Sequence, residues 1–382
     1  MTARALLARG LASLGGRFGL ARAASLPTVA DRFDLNAAGA TRAPFPALEQ
    51  LRSDGPVHFL PRSDCWIVLG YEEVRAALAA PDVFSSSPLA QIDSVLLGAD
   101  PARHSAARRV IAAYLSTVAQ GRIDQRIAED AAALAVESFD LVAGYSAPLA
   151  RRATALILGL DAREVDAIRS APDLTAAPGE MSAASRSRLR KATLHRRLMA
   201  DGEGLIDDGQ ACSLVRLLCR ASAETTERLI VRAAFTLLQD EALRRDIEAR
   251  GALLIPFLDE AMRLSPPEPS LVRMTTRRAE LGGRTIPAGA PVLLSLLAAN
   301  RDPAVFPEPA LVKLDRPRTQ HVAFGGGIHQ CVGAGLARRI GLTALRTLLE
   351  RAPRLRIAGS LDGLRWAVNQ GIETPLRAMI VG

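Results

Sequence analysis

One run of residues, Phe324-Gly325-Gly326-Gly327-Ile328-His329-Gln330-Cys331-Val332-Gly333, presents a single cysteine in a glycine-rich loop immediately ahead of a helical stretch. A metal is bound by the thiolate rather than the thiol, and backbone N–H groups at a helix N-terminus are what help a thiolate exist near neutral pH. Gly325, Gly327 and Gly333 allow a tight turn and let the backbone approach a flat ligand with no Cβ in the way. His329, on the same loop, places an imidazole where it can donate to a carboxylate. The other three cysteines, Cys65, Cys212 and Cys219, show no C-x-x-C spacing. That argues against a zinc site or a disulfide framework and for a reducing compartment.

Two further constellations stand out by spacing alone. Glu260 and Arg263, at i and i+3, share one helix face and can pair. His104 and Arg108 lie one helical turn apart on another. Holding such groups together needs a scaffold, and the pattern along the chain predicts one that is mainly helical. Short helices are expected over Pro46 to Ser53 and Tyr71 to Ala80, flanking β-like runs at Val57 to Leu60 and Cys65 to Leu69 around the turn Arg62-Ser63-Asp64. Further helices are expected after Pro101, over Asp124 to Leu141, Pro148 to Leu160, Leu253 to Leu264 and Gly333 to Arg351. The longest runs from about Cys212 to Leu238 with no Gly or Pro inside it, long enough to cross the whole molecule. Pro172 to Ser187 reads as a loop, and the segment from Pro266 to Ala299 as strands joined by glycine turns.

At 382 residues and 49% hydrophobic content the chain can bury a sizeable core. No apolar run approaches the roughly 18 residues of a membrane span. The net charge of +8 invites a nucleic-acid reading, but the basic residues are nearly all arginine, are interspersed with acids, and form no patch interleaved with aromatics. A modest basic surface suits an acidic protein partner better. Residues 1–30 carry Arg4, Arg9, Arg17 and Arg22 with no acid before Asp31. They read as an N-terminal arm ahead of one domain over 31–382, with an amphipathic targeting helix as the alternative. A cytoplasmic location is expected, an organellar one being that alternative's consequence.

The loop F-G-x-G-x-H-x-C-x-G resembles the cysteine loop of the cytochrome P450 family, and the resemblance extends by order of elements from about Asp34 to the C-terminus. It implies the P450 fold, a mainly α single domain with a small β region, and haem b bound through Cys331. Phe324 and Gly325 would flank the macrocycle, and His104, Arg108, Arg273 and His329 would hold its propionates. Ala221-Ser222-Ala223-Glu224-Thr225-Thr226 resembles the family's oxygen-activation motif, which implies Thr225 and Glu224 as the proton-delivering alcohol and acid. Ser222 stands where the family usually has Gly, adding a donor near oxygen. Glu260 and Arg263 match the E-x-x-R pair that anchors the cysteine loop. Leu217, Arg220, Ala221, Ser222, Glu268 and Pro269 fall on the family's pocket walls.

The implied activity is monooxygenation of an organic secondary metabolite, with electrons from a separate ferredoxin or flavodoxin docking near Arg338 and Arg339. No nucleic-acid partner is expected. Alternatives are a peroxide-using or rearranging haem enzyme, and a haem-binding recruitment protein with little turnover. Two departures from the family pattern bear on this. Leu311 stands where a third partner of the E-x-x-R pair is usual, making Arg316 or Arg318 the candidate replacement. The stretch from Gly159 to Ser222 is about thirty residues short, which suits a substrate that is large or tethered to a carrier.

Overall fold

The computed structural model describes residues 45–91, 96–98, 101–172, 180–202, 204–316, 321–351, 355–358, 366–369, 372–375 and 377–381. The N-terminal arm lies outside them. In chain order come α1 (Phe45–Ser53), β1 (Val57–Leu60), β2 (Cys65–Val68), α2 (Tyr71–Ala79), β3 (Phe84–Ser85), α3 (Pro101–Gln120), α4 (Ile123–Leu134) and β4 (Ser138–Asp140). A π-turn, Leu141–Ser146, runs into α5 (Ala147–Leu158), followed by α6 (Ala162–Arg169), α7 (Ala183–Leu189), α8 (Thr193–Asp201), α9 (Asp208–Gln239), α10 (Glu241–Ala249) and α11 (Leu254–Leu264). Then come β5 (Ser270–Thr275), β6 (Ala279–Leu281), β7 (Arg284–Ile286), β8 (Pro291–Ser295), α12 (Leu296–Ala299), α13 (Ala334–Arg351), and strands β9 (Arg356–Ile357), β10 (Trp366–Asn369), β11 (Ile372–Pro375) and β12 (Met379–Val381). No helix among the described residues is long and apolar enough to cross a membrane.

α9 is the axis of the helical layer. Its start is fixed by a capping box, in which the Asp207 carboxylate accepts from the Gln210 N–H at 2.8 Å and the Gln210 side chain accepts from the Asp207 N–H at 2.9 Å. Its 32 residues span about 48 Å at the α-helical rise. It packs along α5 and also meets α8, α11 and α13. At Gly341 the helix behind the cysteine loop comes so close that a Cβ would lie 3.2 Å from Leu229 and 3.3 Å from Leu258.

The main sheet has strand order β1-β2-β8-β5-β3. Its two-residue periodicity sorts side chains to opposite faces. Val68 and Leu294 join one apolar cluster with α2, while Ile67 and Leu293 join another with α1. This sheet carries Arg273 on β5.

Two sequence expectations are corrected. The helix expected to reach Leu141 ends at Leu134, because Ser138–Asp140 instead pairs with β12 in the register Met379↔Asp140. The Asp140 carboxylate then accepts from the Val142 N–H at 2.9 Å and redirects the chain. The loop expected over Pro172 to Ser187 contains the start of α7, capped by the Ser182 hydroxyl accepting from the Ser185 N–H.

Arg263 is 1% exposed and uses all five of its N–H donors. Nε and Nη2 form a fork on the Glu260 carboxylate at 2.6 and 2.8 Å. The remaining three reach the carbonyls of Asn300 (2.9 Å), Pro309 (2.8 Å) and Leu311 (2.9 Å). Leu311 thus contributes its backbone, with its side chain 53% exposed. The third partner is Arg316, whose Nε stands 3.2 Å from Glu260 Oε1, while the Lys313 N–H donates to Oε2 at 3.0 Å. Arg318, the other candidate, lies outside the described residues. Burial alone would raise the Glu260 carboxyl, but the Arg263 fork, the Lys313 N–H and Arg316 outweigh it and hold it below the ordinary glutamate range.

Removing one partner of a buried pair strands the other, so Arg263→Leu should cost about 3 to 5 kcal/mol in urea unfolding. The stability linked to the lowered Glu260 pKa is complete above the ordinary glutamate value of about 4.3 and is lost as pH falls through the lower folded value. Glu260→Gln should therefore flatten the acid limb of the stability curve, and an unchanged limb would assign it to other carboxylates.

Candidate functional site

The segment ahead of α13 is suspended from the Arg263 network. Asn300 is fully buried; its backbone carbonyl accepts from Arg263, and its side-chain Oδ1 accepts from the Val322 N–H at 2.7 Å. From Val322 the chain turns at once, the Gly325 N–H donating back to the Val322 carbonyl at 2.8 Å. Gly325 (φ +68°) and Gly327 (φ +62°) supply left-handed turns, and a Cβ at Gly327 would collide with the Leu78 carbonyl oxygen of α2. The loop closes where the Cys331 N–H donates to the Phe324 carbonyl at 2.9 Å.

Cys331 is exposed, whereas Cys65, Cys212 and Cys219 are buried. Burial pushes those three thiols up to about 12, about 11 and about 12. The protein around Cys331 also raises its thiol, but the Gly333 N–H, Arg108 and Arg338 pull in the opposite direction. It is the cysteine with both access and electropositive surroundings.

Beside it four basic groups converge from three elements: His104 and Arg108 on α3, Arg273 on β5, and His329 on the loop. The His104 and His329 rings stand edge to face with centroids 4.7 Å apart. Ser86 Oγ lies 2.9 Å from His329 Nε2 and donates to the Leu97 carbonyl. Burial first, and then Arg273, His104 and Arg108, push His329 down to about 4, only partly offset by a backbone bond to Leu96. Arg273 is 4% exposed and donates to the Val272 carbonyl at 2.8 Å. Neither it nor Arg108 has a carboxylate partner among the described residues, and burial lowers Arg273 to about 10. A buried cation without a counter-ion is costly. Such a cluster accommodates an anionic ligand, and two carboxylates beside a thiolate-bound macrocycle are what it fits.

On α9, Leu217, Arg220, Ala221, Glu224 and Thr225 lie at helical spacing along one incompletely buried face. Thr225 Oγ1 donates to the Ala221 carbonyl at 2.6 Å. Glu224 Oε1 accepts from Arg220 at 3.3 Å, and Oε2 lies 3.7 Å from Arg228. Glu268 and Pro269 follow α11, with Glu268 bound to Arg228 at 2.6 Å and Pro269 buried. Ser222 departs from the sequence reading: its hydroxyl pairs with Thr154 Oγ1 at 2.7 Å, joining α9 to α5.

On the other side of the cysteine loop a cleft of about 1140 Å³ is lined by Arg75, Lys313, Arg316 and Arg338 together with Glu72 and Asp259. Arg338 stacks over Phe324 at 4.6 Å and donates to Asp259 at 3.0 Å. Arg339, expected to serve this face, instead forks onto Asp124 and donates to the Ala119 carbonyl at 2.6 Å. Elsewhere, His195, Asp208 and Cys212 bring donor atoms within 4.8 Å of one another, with both Asp208 oxygens accepting from Arg190. Sequence reasoning missed Ser86, Arg228 and the side-chain role of Asn300. Asn300 alone had a local signal, standing in the turn-forming run Asn300-Arg301-Asp302-Pro303.

Comparison with known proteins agrees with this geometry. The family model for cytochrome P450 matches residues 252–351, the stretch that holds Glu260, Arg263 and the cysteine loop. The cytochrome P450 monooxygenase PikC of Streptomyces venezuelae is 31% identical, covering 89% of this chain and 92% of its own. The mycinamicin IV hydroxylase/epoxidase of Micromonospora griseorubida is 29% identical, covering 83% and 89%. Among solved structures, CYP109E1 from Bacillus megaterium in complex with testosterone superposes with a TM-score of 0.78 at 25% identity, covering 88% of this chain and 97% of that one. Identity at this level over nearly the full length of both chains, on a shared fold with the cysteine loop in place, makes this chain a member of the cytochrome P450 family of haem-thiolate monooxygenases.

Proposed function

We propose that this enzyme uses haem b, held by Cys331, to insert one oxygen atom from O2 into an organic secondary metabolite, with electrons from a separate ferredoxin or flavodoxin. The observation that carries the reading is the exposed Cys331 beside Arg273 and Arg108, two cations with no carboxylate partner among the described residues. Haem bound through a thiolate supplies the O2-binding and electron-transfer chemistry, the thiolate favouring O–O cleavage.

The chain's own residues do the rest. Gly333 N–H stabilises the thiolate form of Cys331, and the Phe324 carbonyl fixes its backbone. His104, Arg108, Arg273 and His329 hold the two propionates, with Ser86 orienting the His329 ring. Thr225 hydrogen-bonds oxygen or its water, releasing the bond to Ala221, and Glu224 supplies it with protons from solvent. Leu217, Ala221 and Pro269 give the pocket apolar wall, and Arg220 and Glu268 its polar end. Relatives named for PikC monooxygenation and for mycinamicin IV hydroxylation support a secondary-metabolite substrate. The shortness of the stretch that carries α7 and α8 supports one that is large or carrier-tethered.

The cleft beside the cysteine loop suits an acidic electron carrier, with Arg75 and Lys313 adding to Arg338. Arg316 removes one ground for the recruitment alternative, since the Glu260–Arg263 pair has its third partner after all.

Reduced protein with carbon monoxide should give the red-shifted Soret band of a thiolate complex, and Cys331→Ala should abolish it; retention of the band would move the ligand elsewhere. Arg273→Leu should weaken haem binding by about tenfold to a hundredfold, the worth of a charge-assisted hydrogen bond, with Arg273→Lys in between. Equal haem retention in wild type and Arg273→Leu would place the propionates on other groups. Thr225→Ala should lower product formed per reductant consumed by roughly tenfold while peroxide rises, whereas Glu224→Gln should slow turnover. Unchanged coupling and rate in both would take this pair out of the mechanism.

A further inference from the structure

Charges on the open face of α9 and on the turn after α11 are arranged in series: Arg220, Glu224 and Arg228, then Glu268. Arg228 is shared between two acids, and unequally. Its Nη1 donates to Glu268 Oε1 at 2.6 Å and to the Pro267 carbonyl at 3.2 Å, whereas its Nη2 stands 3.7 Å from Glu224 Oε2. The first contact is a charge-assisted hydrogen bond and the second is electrostatic only.

The strength of the Glu268 claim follows from its local sequence. Ser265-Pro266-Pro267-Glu268-Pro269 restricts φ at three positions around one acid, so little conformational freedom is lost when Glu268 meets Arg228. The turn is further tied down where the Leu297 N–H donates to the Pro269 carbonyl at 3.0 Å. Glu224, by contrast, sits mid-helix on a flexible side chain.

We propose that Arg228 and Glu268 are positioning residues for proton delivery: Glu268 draws Arg228 away from Glu224, leaving Glu224 hydrogen-bonded to one guanidinium, that of Arg220, instead of two, so that it can take a proton from solvent and turn with it toward Thr225. The proposal rests on the reading of Glu224 as the acid of the pair. Its physical basis is that a carboxylate gripped by two guanidinium groups is held both ionised and stationary, and either condition opposes repeated proton transfer. The charged groups facing Glu224 are Arg220, Glu227 and Arg228 on α9 and Glu268 from the turn after α11; Arg151 of α5 and Arg169 of α6 act on Glu227. Burial raises the Glu268 carboxyl in spite of Arg228, with the charge of Glu224 adding to the rise, as expected of two acids drawn to one cation.

The test follows the protonation of Glu224 in the full-length haem protein by the infrared carboxylic-acid C=O band that Glu224→Gln removes. Glu268→Gln should release Arg228 onto Glu224 and lower that band's midpoint, and Arg228→Gln should raise it by less. In the Arg228→Gln background, Glu268→Gln should shift it by less than half as much. Should Arg228→Gln not fold, Arg228→Lys keeps the charge without the fork and should raise the midpoint by a smaller amount. During turnover, Glu268→Gln should increase the solvent isotope effect and Arg228→Gln should decrease it. Shifts of the same sign in both variants, or an equal Glu268→Gln shift in both backgrounds, would overturn the proposal. If Glu224→Gln leaves coupling and rate untouched, the reading of Glu224 as the acid fails. If it impairs them while Glu268→Gln and Arg228→Gln leave the midpoint in place, the shared arginine alone is refuted.

Discussion

A guanidinium group removed from water must place five N–H donors, and the position of Arg263 obliges distant parts of the chain to supply the acceptors. Glu260, one turn back, fills two. The other three are carbonyls of Asn300, Pro309 and Leu311, which have to arrive at fixed points around one side chain. Asn300 then turns the constraint outward, its side chain fixing Val322 and so the start of the cysteine loop. The described irregular backbone between α12 and α13 is thereby anchored at Asn300, Pro309, Leu311 and Val322 without a ladder of its own.

Arg273 shows the opposite use of the same side chain. It is buried almost as deeply, but among the described residues its side chain has one acceptor, the Val272 carbonyl, and burial lowers its pKa to about 10. One arginine is satisfied by the fold and organises it; the other has no carboxylate partner among the described residues and is open to an anionic ligand. The distinction lies in the partners and not in the depth, since Arg263 and Arg273 are 1% and 4% exposed.

What could be read from the sequence was what is local. The cysteine loop is contiguous, Glu260 and Arg263 are three residues apart, and His104 and Arg108 four, so spacing alone placed each group on one turn or one face. Arg316 could be nominated because it follows Leu311 closely. The misses depend on residues far away in sequence. Ser222 is engaged by Thr154 on another helix, Arg339 by Asp124, and the helix expected to reach Leu141 is cut short by pairing with β12. Propensity over Ser138 to Asp140 has no access to a partner strand beginning at Met379.

That pairing has a consequence for the order in which the chain acquires structure. β4 bonds to β12, the Leu141 N–H donates to the Ala378 carbonyl at 2.8 Å, and Tyr145 in the adjoining π-turn donates to the Ala344 carbonyl of α13 at 2.7 Å. The entry to α5, and with it the helix along which α9 lies, is therefore completed by segments synthesised about two hundred residues later. During translation the helices can form early, but their final seating waits for α13 and β12 to leave the ribosome. The cysteine loop emerges just ahead of those elements, so the thiol and the walls that surround it become competent together, once β12 has emerged.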